Sequence, residues 1–173
     1  YGHNATHALI GYLAQRRGCL RMSEAGQHAD IMAAAQQAFL EESGRALCAR
    51  YAGLDPLFSP AGYRAYVEDL LVRMLNPHLQ DAVARIIRDP RRKLGWDDRL
   101  VGTMRLVDQQ GFVPRKYALG AAAALGWLAS LESKSPAALL EEIWGSAIIA
   151  TAEGKRMRRL IDESQLALQE FRA

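Results

Sequence analysis

The sequence predicts an all-α domain, and three observations carry that expectation. Apolar residues recur at helical spacing along nearly every segment. The strongest breakpoints read as helix starts: Ser59-Pro60, Asn76-Pro77 and Ser135-Pro136 each join a favoured N-cap to proline at the first helical position. No segment shows the strict alternation of a half-buried strand. The 173 residues make one domain of ordinary size. Half of them are hydrophobic but only 8% are aromatic, with Ala and Leu dominant, a mix suited to helix packing.

The elements follow from the stripes. Leu9, Ile10 and Leu13 mark a first helix; Ile31, Ala35, Ala38 and Phe39 mark a second, which Ala46, Leu47 and Arg50 extend. Tyr63, Val67, Leu70, Leu71 and Met74 make a third, and Leu79, Val83, Ile86 and Ile87 a fourth. Asp89-Pro90 and Asp97 offer further starts. Leu100, Met104 and Val107 give a fifth helix that Gly111 stops. The sixth, Tyr117 to Leu128, contains Gly120-Ala-Ala-Ala-Ala124, small enough to admit a close neighbour in the centre of the domain. Leu139, Leu140, Ile143 and Trp144 open a seventh. Beyond it Gly145, Gly154 and the basic run Lys155 to Arg159 read as interruptions before a terminal helix with Leu160, Ile161, Leu166, Leu168 and Phe171. The expectation is about seven to nine helices in a single domain over 1–173.

Charge and cysteine usage narrow the class. The net charge is +3 and the pI about 9.0, below the basic density of a nucleic-acid binder. The distribution is more telling: Arg85, Arg88, Arg91, Arg92 and Lys93 fall in one stretch opposed by Asp89, which suits a small anion. Cys19 and Cys48 lack metal or redox spacing and read as small apolar residues. No apolar run reaches the ~18 residues of a membrane span and no signal peptide is visible, so the cytoplasm is the expected location.

Five segments carry a resemblance. They are Asn4-Ala-Thr-His7-Ala-Leu-Ile-Gly-Tyr-Leu, Glu41-Glu42-Ser43-Gly44, Asn76-Pro77 through Asp81 to Arg85, Arg92-Lys93-Leu94, and Asp98-Arg99-Leu100. In this order and spacing, over residues 1–130, they resemble the polyol-specific long-chain dehydrogenases. That family takes in mannitol dehydrogenases, mannitol-1-phosphate dehydrogenases and hexuronate reductases, and Arg92 to Leu100 and Gly111 to Lys116 look most like the mannitol-1-phosphate branch. The resemblance implies a multi-helical C-terminal domain of the 6-phosphogluconate-dehydrogenase-like type. It also implies NAD-linked, metal-independent oxidation of a secondary alcohol of mannitol-1-phosphate or mannitol. The general-base lysine and an N-terminal Rossmann domain holding NAD would lie ahead of Tyr1, and the chain itself contains no G-x-G-x-x-G. Alone, it is expected neither to bind NAD tightly nor to turn over.

Residue by residue, the resemblance makes Asn4 and His7 catalytic. Asn4 would hold the substrate oxygen with a donor that does not titrate, and His7 would orient the hydroxyl. Arg85 and Lys93 would contact substrate, with Arg92 beside them. A phosphate asks for more positive charge, for which Arg88, Arg91 and Arg92 are candidates. The competing plain roles are an N-cap for Asn4, a surface histidine for His7 and a solvated basic turn for the cations. Glu41 and Glu42 are adjacent, diverge around a helix and read as structural, while His28 and His78 match nothing catalytic. Two other readings stand beside this one. A hexuronate (fructuronate or tagaturonate) reductase would use the same cations on a carboxylate. A non-enzymatic helical ligand-binding or dimerisation module would use none of this chemistry.

Overall fold

In the computed structural model, residues 1–171 are described, and among them every regular element is helical. The helices are α1 (Gly2–Arg16), α2 (Met22–Ala25), α3 (Ala29–Gln37), α4 (Arg45–Arg50), α5 (Pro60–Met74), α6 (Val83–Ile86), α7 (Pro90–Lys93), α8 (Arg99–Gln109), α9 (Arg115–Glu132), α10 (Pro136–Trp144), α11 (Ser146–Ala150) and α12 (Ala152–Ala167). Seven of them (α1, α3, α5, α8, α9, α10 and α12) run nine residues or longer, which accounts for the expected number; the others have four to six residues. Between α3 and α4 the chain stays helical but widens into a π-helical segment, Ala38–Gly44. Such a widening is uncommon and recurs near functional sites.

Local chemistry sets the boundaries. Ser59 accepts a hydrogen bond from the Gly62 amide (3.0 Å) and Ser135 one from the Ala138 amide (3.2 Å), each ahead of proline. These caps satisfy donors left free by the first turn. Helix α8 starts one residue later than the sequence suggested. Asp98 is its N-cap, accepting from the Arg99 amide at 2.6 Å, while Asp97 turns to Arg105. Gly111, at φ +81°, ends α8 in the left-handed region that glycine adopts without strain.

Helix α9 is the central rod, with α1, α8 and α12 packed along it. Every residue from Tyr117 to Leu125 is buried. A side chain at Gly120 would begin 2.7 Å from Leu9 Cδ1, so glycine sets how closely α1 approaches. Leu9, Ile10, Tyr12 and Leu13 of α1 are fully buried in the same core.

Two expectations fail. The stripe from Leu79 to Ile87 is not one helix. Asn76-Pro77 opens only a single 3-10 turn, Leu79 is exposed, and α6 begins at Val83. The intervening segment is held extended by backbone bonds from the Met22 amide to the Asp81 carbonyl and from the Val83 amide to the Leu20 carbonyl, each 2.9 Å. A long-range pairing therefore overrides the local period. At the other end, Gly154 and the basic run do not break the chain; both lie inside α12. Gly154 is there because a Cβ would collide with the Ile148 carbonyl where α11 folds onto α12.

Candidate active site

Helix α1 carries polar groups on one edge. Asn4, His7 and Ala8 lie along the same side, as their spacing requires, and line a cleft of about 240 Å³. The opposite wall comes from α6 to α8: Arg85, Ile86, Arg88, Arg92, Lys93 and Arg99. The walls are brought together by close packing and by one buried bond. A Cβ on Gly11 would sit 2.8 Å from Ile86 Cγ2, and the Tyr12 hydroxyl donates to the Ile87 carbonyl at 3.0 Å. The structure thus brings Asn4, His7, Arg85, Arg92 and Lys93 to one place.

Each group meets a distinct environment. Asn4 is exposed within the first turn of α1 and caps nothing; the helix begins after Tyr1. His7 is half-buried, and its Nε2 is buried without a hydrogen-bond partner. Burial, followed by the charges of His3, Arg85 and Arg99 and against the pull of Asp81, lowers its pKa to about 4. The imidazole is therefore neutral near pH 7. An orphaned ring nitrogen at the wall of a polar cleft is costly unless something occupies it.

Lys93 is the most deeply set cation, only 2% exposed, and its Nζ donates to the Arg88 carbonyl. Burial, then the charges of Arg99 and Arg92, lowers its pKa to about 8, partly opposed by Asp89 and Asp98. Arg85 is exposed and paired with Asp81 one turn earlier, and Arg92 pairs with Asp89 at 3.2 Å. Among the described residues Arg88 makes no ion pair, so its guanidinium is committed to nothing else in the cleft wall. Asp89, between Arg88 and Pro90, holds φ +60°, an unusual conformation for a residue before proline, and caps the Arg92 amide.

This wall differs from the sequence expectation at two arginines. Arg91 is not in the cleft. It reaches away to Glu132 (2.6 Å from Nε) and Glu142 (2.7 Å), carboxylates on α9 and α10 that hold its pKa above the usual value. Arg99 takes its place as a cleft cation. The Asp98-Arg99 pair was visible as a motif, but only the Asp98 cap explains why Arg99, the first residue of α8, faces the site.

Glu42 and Ser43 do not line the cleft; they brace it. Glu42 is buried and accepts from the backbone amides of Lys116 (2.6 Å) and Tyr117 (3.1 Å), the first-turn donors of α9. Burial raises its pKa to about 7, against those amide bonds and the charges of Lys116 and Arg115. Glu41 is exposed. His78 is exposed and His28 half-buried. Both cysteines are free: Cys19 is buried, whereas Cys48 is only half-buried beside the Ser59 carbonyl. Among the described residues no group of three or more His, Cys, Asp or Glu is placed to hold a metal ion, and no helix is long and apolar enough to cross a membrane.

The family model of the mannitol dehydrogenase C-terminal domain matches residues 3–166. The chain belongs to the mannitol dehydrogenase family. Among its curated relatives, the mannitol-1-phosphate 5-dehydrogenase of Anoxybacillus flavithermus is 38% identical over 123 residues, 70% of this chain and 31% of that protein. The protein of the same name from Bacillus licheniformis is 38% identical over 122 residues, with the same coverage of 70% and 31%. That of Pseudarthrobacter chlorophenolicus is 35% identical over 151 residues, 86% of this chain and 37% of the relative. The chain thus spans about a third of the length of the relatives it matches. The family match runs past residue 130, where the motifs in the sequence stop, and takes in α10, α11 and most of α12.

Proposed function

We propose that this mannitol dehydrogenase domain serves an enzyme that oxidises a secondary alcohol of mannitol-1-phosphate to the ketose. One observation carries the reading: five cations, Arg85, Arg88, Arg92, Lys93 and Arg99, share a small cleft with Asn4 and a neutral His7, and among the described residues no carboxylate lines it, Asp81 and Asp89 pairing with Arg85 and Arg92 from outside. A free polyol needs hydrogen bonds but little charge. A phosphate dianion needs several cations, and Arg offers it paired donors.

The chemistry follows. A secondary alcohol becomes a ketone by losing its hydroxyl proton and a hydride from the same carbon. The reading assigns the hydride to NAD, which accepts it when bound. The described residues contain no strand–turn–helix phosphate cradle, so they do not fit the dinucleotide as its main holder, and the reading puts that role and the lysine base on a preceding domain. Asn4 donates to the oxygen as negative charge develops there, at no cost in proton traffic. His7 Nε2, now orphaned, gains the substrate hydroxyl as its partner and orients it. Lys93 and the arginines hold the anionic end and fix which carbon faces Asn4.

The test is a substrate panel on the full-length protein with NAD: mannitol-1-phosphate, mannitol, and fructuronate and tagaturonate with NADH. The reading expects mannitol-1-phosphate to be turned over best. Asn4→Ala is expected to lower kcat by about 10²–10³, the usual loss for one such donor. Equal turnover of mannitol and its phosphate would refute the phosphate assignment. Preference for a hexuronate would move the protein to the reductases, and no activity on any of these would remove the enzyme reading.

A further inference from the structure

The side of α1 opposite the cleft holds a buried polar cluster that the chemistry above leaves unused. At 3.6 residues per turn, Thr6 points away from Asn4 and Ala8. Its hydroxyl lies 2.9 Å from the Tyr117 hydroxyl, which lies 2.8 Å from that of Ser43. All three residues are fully inaccessible. Ser43 also donates to the Phe39 carbonyl at 3.2 Å, inside the π-helical turn, and the neighbouring Glu42 grips the first turn of α9 at Lys116 and Tyr117. One chain of bonds therefore runs from the π-turn through α9 to α1.

An apolar trio would fill the same space without burying three hydroxyls. Those hydroxyls cost free energy unless every one is paired, and here each is. What they add is direction. Leucine and alanine contacts resist separating two helices but resist rotation about the helix axis much less. A rotation of ~10° moves an atom ~6 Å from a helix axis by about 1 Å. A 1 Å misplacement of a reacting group costs on the order of 10²-fold in rate. We infer that Tyr117 is a positioning residue: through Thr6 it fixes the rotation of α1, and so aims Asn4 and His7 into the cleft. The inference rests on the reading of Asn4 and His7 as the groups that hold the reacting oxygen.

The test uses two readouts. In this chain, the titration of His7 is followed by the NMR signals of its ring in wild type, Tyr117→Phe and Thr6→Val, with Leu140→Ala in α10 as a control for plain loss of stability. In the full-length protein, kcat and KM are measured for the same variants. Tyr117→Phe and Thr6→Val are expected to raise the His7 midpoint by roughly one pH unit toward its ordinary ~6.5, as the ring gains water. They are expected to lower kcat on the order of tenfold or more with little change in KM. Leu140→Ala is expected to lower the melting temperature alone. Should Tyr117→Phe not fold, Thr6→Val and Ser43→Ala carry the test. If the variants melt earlier but leave His7 titrating as in wild type, the cluster is merely structural and the inference is overturned. If His7 shifts in a protein that oxidises no polyol, the positioning stands and the functional reading fails.

Discussion

Along α1, the face toward α9 and the face toward the cleft meet opposite conditions. Toward α9, Leu9, Leu13 and Thr6 are sealed in the core, and the Thr6 hydroxyl is joined there to those of Tyr117 and Ser43. Toward the cleft, Asn4 is exposed, His7 keeps a ring nitrogen without a partner, and the facing wall gathers positive charge. The hydroxyls of the first face are paired within the protein; on the second, the buried His7 Nε2 has no protein partner. A helix that only completed the core would have no reason to leave that nitrogen orphaned beside five cations, because apolar residues would cost less there.

The largest expected effect breaks the satisfied face. Leu9→Ala should cost about 2–5 kcal/mol in urea unfolding, the range for a fully buried leucine whose site cannot collapse, here because Gly120 backs it. Chain that remains folded should still bind phosphate.

Next come two pH dependences of opposite sign. Glu42 is raised from its ordinary value to about 7 in the fold, so its contribution to stability is full below about pH 4.5 and is lost as pH rises through 7. His7 is lowered to about 4, so its contribution is full above about pH 6.5 and is lost as pH falls through 4. The two partly cancel in wild type. Thermal melts from pH 4 to 8 should show Glu42→Gln with stability that rises with pH and His7→Gln with stability that falls. Parallel curves for both variants would mean that the two faces are not electrostatically distinct.

A smaller effect sharpens the cleft alone. Lys93 is lowered to about 8, so its charge is lost as pH rises through that value. Phosphate affinity, measured by calorimetry, should fall across pH 8, and Lys93→Met should remove that dependence. The smallest is a control: Arg91→Ala gives up part-exposed ion pairs to Glu132 and Glu142. It should shift the melting temperature slightly and leave phosphate affinity unchanged, whereas Arg88→Ala should weaken it.

Much of this was readable before any coordinates. Ser59-Pro60 and Ser135-Pro136 mark true helix starts because a cap is a local event, settled within three residues. The small-residue run around Gly120 marks the central helix because only such a surface lets α1 come so close. Asn4, His7, Arg85 and Lys93 share a cleft, as the order of motifs implied, although spacing alone would not have joined residues so far apart in the chain. What escaped the sequence is decided at long range. Leu79 to Ile87 carries a helical period, but the stretch ahead of Val83 is held extended by Leu20 and Met22, and only a single helical turn follows. Arg91 is drawn off by carboxylates on α9 and α10, and nothing around residue 91 announces that. Glu42 looks like any surface glutamate until the first turn of α9 is seen to donate to it.

The central claim, that Asn4 and His7 work with the basic wall on one ligand, is tested most directly by titrating this chain with mannitol-1-phosphate and following assigned NMR signals. The account predicts that the Asn4 side-chain amide, the His7 ring and the Arg88 and Arg99 guanidinium signals shift together, with one saturation curve, and that mannitol without its phosphate binds far more weakly. Shifts confined to the arginines, with Asn4 and His7 unmoved at saturation, would contradict it.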